Sequence, residues 1–211
     1  MILDLVIPKT CKYCGSAEVL SFDICLPCTL SEFILEDTPE CRILIKERIH
    51  VGWAIAGYRL GEGAIRSLIY KFKYAGRKKL AFKLGVEIAQ RWKPPDLSFY
   101  LVPIPIHKKR KFKRGYNQTE IIARGMASVW NVDVLADVLR RPSHTKSLTS
   151  AGRWQRADEL KGVLEIGGQL PKGAVVLVDD VLTTGATLRA CRDVLENAKI
   201  EVIGAAVIAL A

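Results

Sequence analysis

The chain has 211 residues, 49% of them apolar and 26% charged, with a formal net charge of +10. Those values exclude a disordered or fibrous chain, and no apolar run approaches the ~20 residues that a membrane-spanning helix requires. They imply one main globular domain with room for a small appendage.

The charge is unevenly spread. Residues 1–50 carry 5 Lys/Arg against 8 Asp/Glu, residues 51–150 carry 20 against 6, and residues 151–211 carry 7 against 8. A middle segment this basic attracts phosphates, diphosphate or a nucleic-acid backbone, and charge alone does not choose among them. Met1-Ile2-Leu3-Asp4-Leu5 has neither a basic n-region nor a long apolar h-region, so no secretory signal is expected and the expected location is cytoplasmic.

The first 50 residues read as a separate module. Cys11-Lys12-Tyr13-Cys14 and Cys25-Leu26-Pro27-Cys28 are two CxxC pairs, each able to bring two thiolates to one ion through a tight turn. Together they complete the tetrahedral four-sulfur set that suits a structural Zn²⁺, with no position left open for chemistry. A reducing cytoplasm favours this over disulfides. Cys41 and Cys191 have no such spacing and read as core or spare thiols.

From residue 51 to 211 the pattern changes to alternating strands and helices. Val51 to Tyr58 is small and β-prone, which predicts a strand opening the second domain. Ile65, Leu68, Ile69 and Phe72 recur at helical spacing, as do Leu80, Leu84, Ile88 and Trp92, and Pro94-Pro95 ends the second helix. Phe99 to Val102 reads as a buried strand leading into a loop, and the loop carries the basic run His107 to Arg114. Asn117 precedes a helix through Ile121, Ile122, Met126 and Trp130, and Val132 to Leu139 reads as a strand. Ala174 to Val178 is a continuous apolar run, Leu188, Cys191 and Leu195 mark a helix, and Glu201 to Ala211 closes the chain as a strand. Such alternation predicts an α/β fold, a mostly parallel sheet flanked on both faces by helices.

The segment from Ala174 to Thr187 carries the most chemistry. A buried strand delivers Asp179 and Asp180 to its C-terminal edge, where ligands of open α/β sheets bind. Val181 and Leu182 follow, then Thr183-Thr184-Gly185-Ala186-Thr187, a loop that opens a helix. Its backbone N–H groups and hydroxyls can surround a phosphate with the helix dipole behind them. Gly185 allows close approach, and the two carboxylates suit the vicinal diol of a neighbouring ribose, whose O–H groups donate to acceptor-only oxygens.

This segment resembles the phosphoribosyl-diphosphate signature of type I phosphoribosyltransferases: an apolar strand, two acids, two apolar residues, then Thr-Thr-Gly-x-Thr. The resemblance implies that Asp179 and Asp180 hold the ribose hydroxyls as the catalytic acids and that Thr183 to Thr187 hold the 5′-phosphate. A second likeness covers nearly the whole chain. Pro8, Cys11, Cys14 and Gly15, then Lys73, Tyr74 and Gly76, then Val102-Pro103-Ile104-Pro105 with His107, Arg110, Arg114-Gly115, Asn117-Gln118 and Arg153, resemble the competence protein ComF family. That likeness implies a role in natural transformation, with single-stranded DNA and the DNA-uptake machinery at the inner membrane face as partners. Ser143 to Ser147 departs from the family pattern, and Cys41 stands where some members carry a further Cys pair.

The run His107-Lys108-Lys109-Arg110-Lys111-Phe112-Lys113-Arg114 is open to two functional readings. By the phosphoribosyltransferase likeness His107, Lys108, Lys109, Arg110 and Arg114 help hold the diphosphate and its Mg²⁺, neutralising the leaving group. Equally, the cations can follow a single-stranded backbone while Phe112 stacks on a base. A solvated loop and a structural His107 are the simpler alternatives. Three functions fit: a phosphoribosyltransferase of unknown acceptor, a non-catalytic nucleic-acid-binding protein, and a sensor of phosphoribosyl diphosphate.

Overall fold

Four parallel strands in the order β3-β8-β7-β4 form the frame of the protein. The computed structural model describes residues 10, 19–21, 24–25, 45–60, 64–141 and 164–211. Val19–Ser21 (β1) and Ile24–Cys25 (β2) make a small antiparallel hairpin with Val19 opposite Cys25. Cys11, Cys14, Cys28 and Cys41 lie outside the described residues, as do Ser143 to Ser147 and Arg153.

The main domain follows as β3 (Trp53–Arg59), α1 (Ala64–Tyr74), α2 (Lys78–Arg91), β4 (Phe99–Pro103), α3 (Lys108–Arg114) and α4 (Gln118–Trp130). It continues through β5 (Leu139–Arg140), β6 (Glu165–Ile166), β7 (Ala174–Leu182), α5 (Ala186–Asn197) and β8 (Val202–Leu210). The neighbouring pairs β3–β8, β8–β7 and β7–β4 are all parallel. Central β7 and β8 are covered on both faces, which is why they read as nearly unbroken apolar runs. The expected α/β sheet flanked by helices is therefore present.

One face of the sheet packs against α1, α2 and α4 through Leu68, Phe72, Leu84, Ile88, Ile122 and Met126. The other packs against α5 and the helical residues 45–49, with Ile45, Ile49, Leu188, Cys191 and Leu195 buried there. Helices α2 and α4 approach so closely that a methyl group at Gly85 or Gly125 would overlap the facing backbone. That contact seats α4 on β4 and β7 and so sets where its first residues lie. Among the described residues, no helix is long and apolar enough to cross a membrane.

Three local expectations need correction. The Val132–Leu139 strand shrinks to a single parallel bridge between Val134 and Leu101 and the short β5. Leu101 donates to the Asp133 carbonyl and accepts from the Leu135 N–H, both at 2.9 Å, after which the chain turns away from the edge of β4. The basic run is a helix and not a loop: the His107 Nδ1 accepts from the Lys109 N–H at 3.1 Å, and Gly115 ends the helix at φ 77°. A side-chain cap and a left-handed glycine are ordinary helix boundaries, and they override the mutual repulsion of the cations. Finally, β7 does not stop at Val178, because Asp179, Val181 and Leu182 continue the ladder with Val207, Ala209 and Leu210 of β8.

Candidate functional site

Because β7 runs on through the two acids, its period of two places them on opposite faces of the sheet. Asp180 falls in line with Val176 and Val178 towards α1 and α4, while Asp179 falls in line with Val175 and Leu177 towards α5. The carboxylates are adjacent in sequence and differ in surroundings.

Asp180 is 5% exposed and has both oxygens engaged. The Lys73 Nζ lies 2.8 Å from Oδ1, and the Gln118 Nε2 donates to Oδ2 at 2.9 Å. Arg114 in turn donates through Nη1 to the Gln118 Oε1, and its guanidinium lies 5.4 Å over the Tyr74 ring. Residues 116–119 are held rigidly around this pair. The Asn117 Nδ2 and Thr119 Oγ1 both donate to the Ile104 carbonyl, at 3.1 and 2.6 Å, and the Tyr116 hydroxyl donates to the Phe72 carbonyl.

Asp179 remains partly accessible, and among the described residues no cation lies at bonding distance from it. Burial of its carboxyl and the neighbouring Asp180 charge push its pKa up to about 8, against the opposing pull of the Asp180 N–H and Lys73. The buried Cys191 thiol on α5 is also raised, by its burial and then by Asp179, with Arg141 acting in the opposite sense. Arg141 follows β5, and its Nε is buried with no hydrogen-bond partner. Burial and then the nearby Arg110 lower its pKa. A guanidinium whose Nε donor is unspent thus stands on the Asp179 side of the sheet.

The Thr183–Thr187 segment is a bend running into the first turn of α5. Thr183 and Thr184 are exposed, and Gly185 takes φ 77° as the residue before the helix, which starts at Ala186. Its carbonyls are held from behind: the Arg48 Nη1 donates to the Thr183 oxygen at 2.7 Å and the Arg189 Nη1 to the Thr184 oxygen at 2.9 Å. Arg189 also donates to the Arg48 carbonyl, and the Arg192 Nη1 donates to those of Ile49 and His50 at 2.8 and 3.0 Å. A side chain at Gly185 would meet the Arg48 carbonyl. With its carbonyls occupied, and the Ala186 N–H donating only at 3.4 Å to the Thr184 Oγ1, the bend has threonine hydroxyls and first-turn N–H groups to offer an anion.

The structure thus gathers Asp179, Asp180 and residues 183–187 at the C-terminal edge of the sheet, and it adds Arg114 through Gln118. Val181 continues the strand, and Ala186 and Thr187 belong to the helix. His107 is a helix cap, while Lys108, Lys109, Arg110 and Lys111 stand exposed on α3. Sequence reading had given no site role to Lys73, Gln118, Arg141, Arg48 or Arg189. Lys73 and Gln118 lie 107 and 62 residues from Asp180 along the chain, so no local pattern connects them.

Residues 117–211 match the family model described as the phosphoribosyl transferase domain. The fold is therefore of the phosphoribosyltransferase type. Competence protein F of Haemophilus influenzae is 28% identical over 145 residues, which cover 64% of this chain and 63% of that protein. Competence protein ComFC of Streptococcus pneumoniae is 28% identical over 194 residues, 89% of this chain and 81% of the relative. DNA utilization protein YhgH of Escherichia coli is 24% identical over 127 residues, 57% of this chain and 56% of the relative. Over most of its length the chain is therefore similar to competence proteins of the ComF kind, and its fold is phosphoribosyltransferase-like. Its match spans less than two thirds of the length of the Haemophilus and Escherichia relatives.

The Asp179 shift has a consequence for stability. A folded-state pKa above the ordinary 3.8 means that the folded form keeps a proton that the unfolded chain releases. The contribution of this group is therefore full below pH 3.8 and declines as pH rises towards 8. Asp179→Asn should gain stability relative to the parent across that window, by on the order of 1–3 kcal/mol at its upper end. Urea unfolding at a series of pH values measures this, and parallel curves for the two proteins would contradict the burial of the carboxyl.

Proposed function

We propose that the chain binds phosphoribosyl diphosphate with Mg²⁺ at the C-terminal edge of its sheet and handles single-stranded DNA during DNA uptake. The observation that carries the first half is the junction of an acid pair on β7 with a clamped helix N-terminus on α5. In this reading the hydroxyls of Thr183, Thr184 and Thr187 and the N–H groups of Ala186 and Thr187 receive the 5′-phosphate, and Gly185 supplies the left-handed turn between them. Asp179 and Asp180 accept from the ribose hydroxyls, Asp180 held in place by Lys73 and Gln118. In the same reading Arg141 and Arg110, which lie close to each other, are the cations assigned to the diphosphate. A carboxyl pushed up to about 8 marks a site short of positive charge, which fits a ligand that brings a cation with it. Mg²⁺ held by diphosphate oxygens would supply that charge and screen the leaving group.

The second half is supported by the relatives, two named competence proteins and one a DNA utilization protein. It is supported also by α3, whose Lys108, Lys109, Arg110, Lys111 and Lys113 are exposed, with Phe112 at 93%. These features support the reading that the protein works on incoming strands, beside the uptake machinery at the inner face of the membrane. We further propose a structural zinc on Cys11, Cys14, Cys25 and Cys28. Buried Cys25 sits on the β1–β2 hairpin, whose antiparallel pairing returns the chain beside its entry point, as two facing CxxC turns require.

Removing both acids, Asp179→Ala with Asp180→Ala, should weaken phosphoribosyl-diphosphate binding roughly 100-fold, the loss of two charge-assisted contacts at about 1.5 kcal/mol each. Titration calorimetry in Mg²⁺, with circular dichroism to verify the fold, makes the measurement, and an unchanged affinity would remove the proposal. Neutralising Lys109, Lys111 and Lys113 should flatten the log–log salt dependence of single-stranded DNA binding by roughly 2, each phosphate contact contributing about 0.7. Elemental analysis of the freshly purified chain should find a single zinc, and its chelation should unfold the N-terminal module first. Absence of the metal from undamaged protein would refute that assignment.

A further inference from the structure

The reading so far leaves the outer face of α1 unused. Ile65, Leu68, Ile69 and Phe72 fill the core from its inner face, and Tyr70 and Tyr74 stand one turn apart on the other. They are 62% and 67% exposed, with ring centroids 4.9 Å apart and planes inclined at 43°. Two tyrosines packed on each other in solvent contribute little to the fold, since aromatic side chains stabilise chiefly when buried. Their surroundings are specific. Arg114 covers one side of the Tyr74 ring at 5.4 Å, and Lys73, next in the chain, holds Asp180 at 2.8 Å. Arg66, Lys71, Arg77, Lys78 and Lys79 are exposed nearby, and no carboxylate occurs between Glu62 and Glu87.

We propose that the Tyr70–Tyr74 face of α1 is a stacking platform for unpaired bases of single-stranded DNA, leading the strand to the edge of the acid-pair site. Accessible rings inside a cationic track are what sequence-tolerant binding of single strands requires: bases stack on the rings and phosphates follow the cations. A duplex offers no free base faces to such a surface. The absence of acidic residues from the whole stretch selects a polyanion over a protein of mixed charge. The contact chain Tyr70–Tyr74–Arg114–Gln118–Asp180 makes the platform continuous with the phosphoribosyl site, and it accounts for the Lys73-Tyr74 motif. The inference rests on the single-strand reading made above, and its test separates the two.

Fluorescence anisotropy on the full chain compares an oligothymidine with an abasic deoxyribose-phosphate strand of the same length. The wild type should bind the base-bearing strand roughly tenfold or more tightly than the abasic one. Tyr70→Ala with Tyr74→Ala should reduce the first affinity to the second and leave the salt slope unchanged, because the rings carry no charge. Tyr70→Phe with Tyr74→Phe should retain the preference. Equal wild-type affinity for the two strands, or an alanine pair that binds oligothymidine as the parent does, overturns the platform while leaving single-strand binding intact. Binding of neither strand overturns both readings. A third arm uses phosphatidylglycerol vesicles: if the alanine pair loses vesicle binding and keeps DNA binding, the face is a membrane contact and the proposal fails.

Discussion

The structure turns on the burial of one carboxylate. Asp180 sits near the end of central strand β7 at 5% exposure, and withdrawing an ionised carboxylate from water costs several kcal/mol unless partners replace its hydration. Lys73 and Gln118 are those partners, one from each of two helices, and both reach it within 3 Å. Meeting this requirement fixes the rotation of α1 and the seat of α4. The glycine contact between α2 and α4 brings α4 close enough, and the Asn117–Thr119–Ile104 bonds anchor its first turn to β4. Tyr74 and Arg114 take their positions from the same arrangement.

On the opposite face the solution differs. Among the described residues no cation bonds Asp179, and burial pushes the pKa of its carboxyl up to about 8. The two acids thus meet different surroundings even though they are consecutive residues. The bend beside them is organised from behind, where Arg48, Arg189 and Arg192 hold main-chain carbonyls of residues 49, 50, 183 and 184. Three guanidiniums that might have formed part of a general anion-attracting surface are thereby committed to backbone. They bind residues 45–50 to α5 and brace the bend whose amides and hydroxyls face outward.

The excess positive charge is likewise divided by role. Arg114 belongs to the Asp180 network, His107 caps a helix, and Arg110 approaches Arg141. The lysines of α3 and of the first turn of α2 remain in solvent, where like charges are tolerable because water screens them. Aromatic rings accompany the exposed cations at Phe112, Tyr70 and Tyr74. An exposed ring is an unremarked residue in a linear sequence and becomes a surface only when its neighbours are known.

Much of the fold was legible because its signals are local. Ile65 to Phe72 and Leu80 to Ile88 show helical periodicity, Asn117 is a cap, and Ala174 to Val178 is an apolar run too short for anything but a buried strand. The acids, the threonines and Gly185 were legible as one strand-end segment leading into a helix for the same reason, being contiguous. The end of β7 was not, since only pairing with Ala209 and Leu210 carries the strand past the acids. The basic run also gave no helical period, because no face of a seven-residue cationic helix is buried. By itself, then, the amino-acid sequence determined most of the element types, the parallel α/β class and the motif of two acids followed by Thr-Thr-Gly, all of which depend on neighbours within one turn or one strand. Only the tertiary structure decided that Asp179 and Asp180 face opposite ways, that Lys73 and Gln118 serve one of them, and that Arg48 braces the bend. Those are contacts across 62 to 135 residues of chain, set by packing geometry that no local pattern encodes.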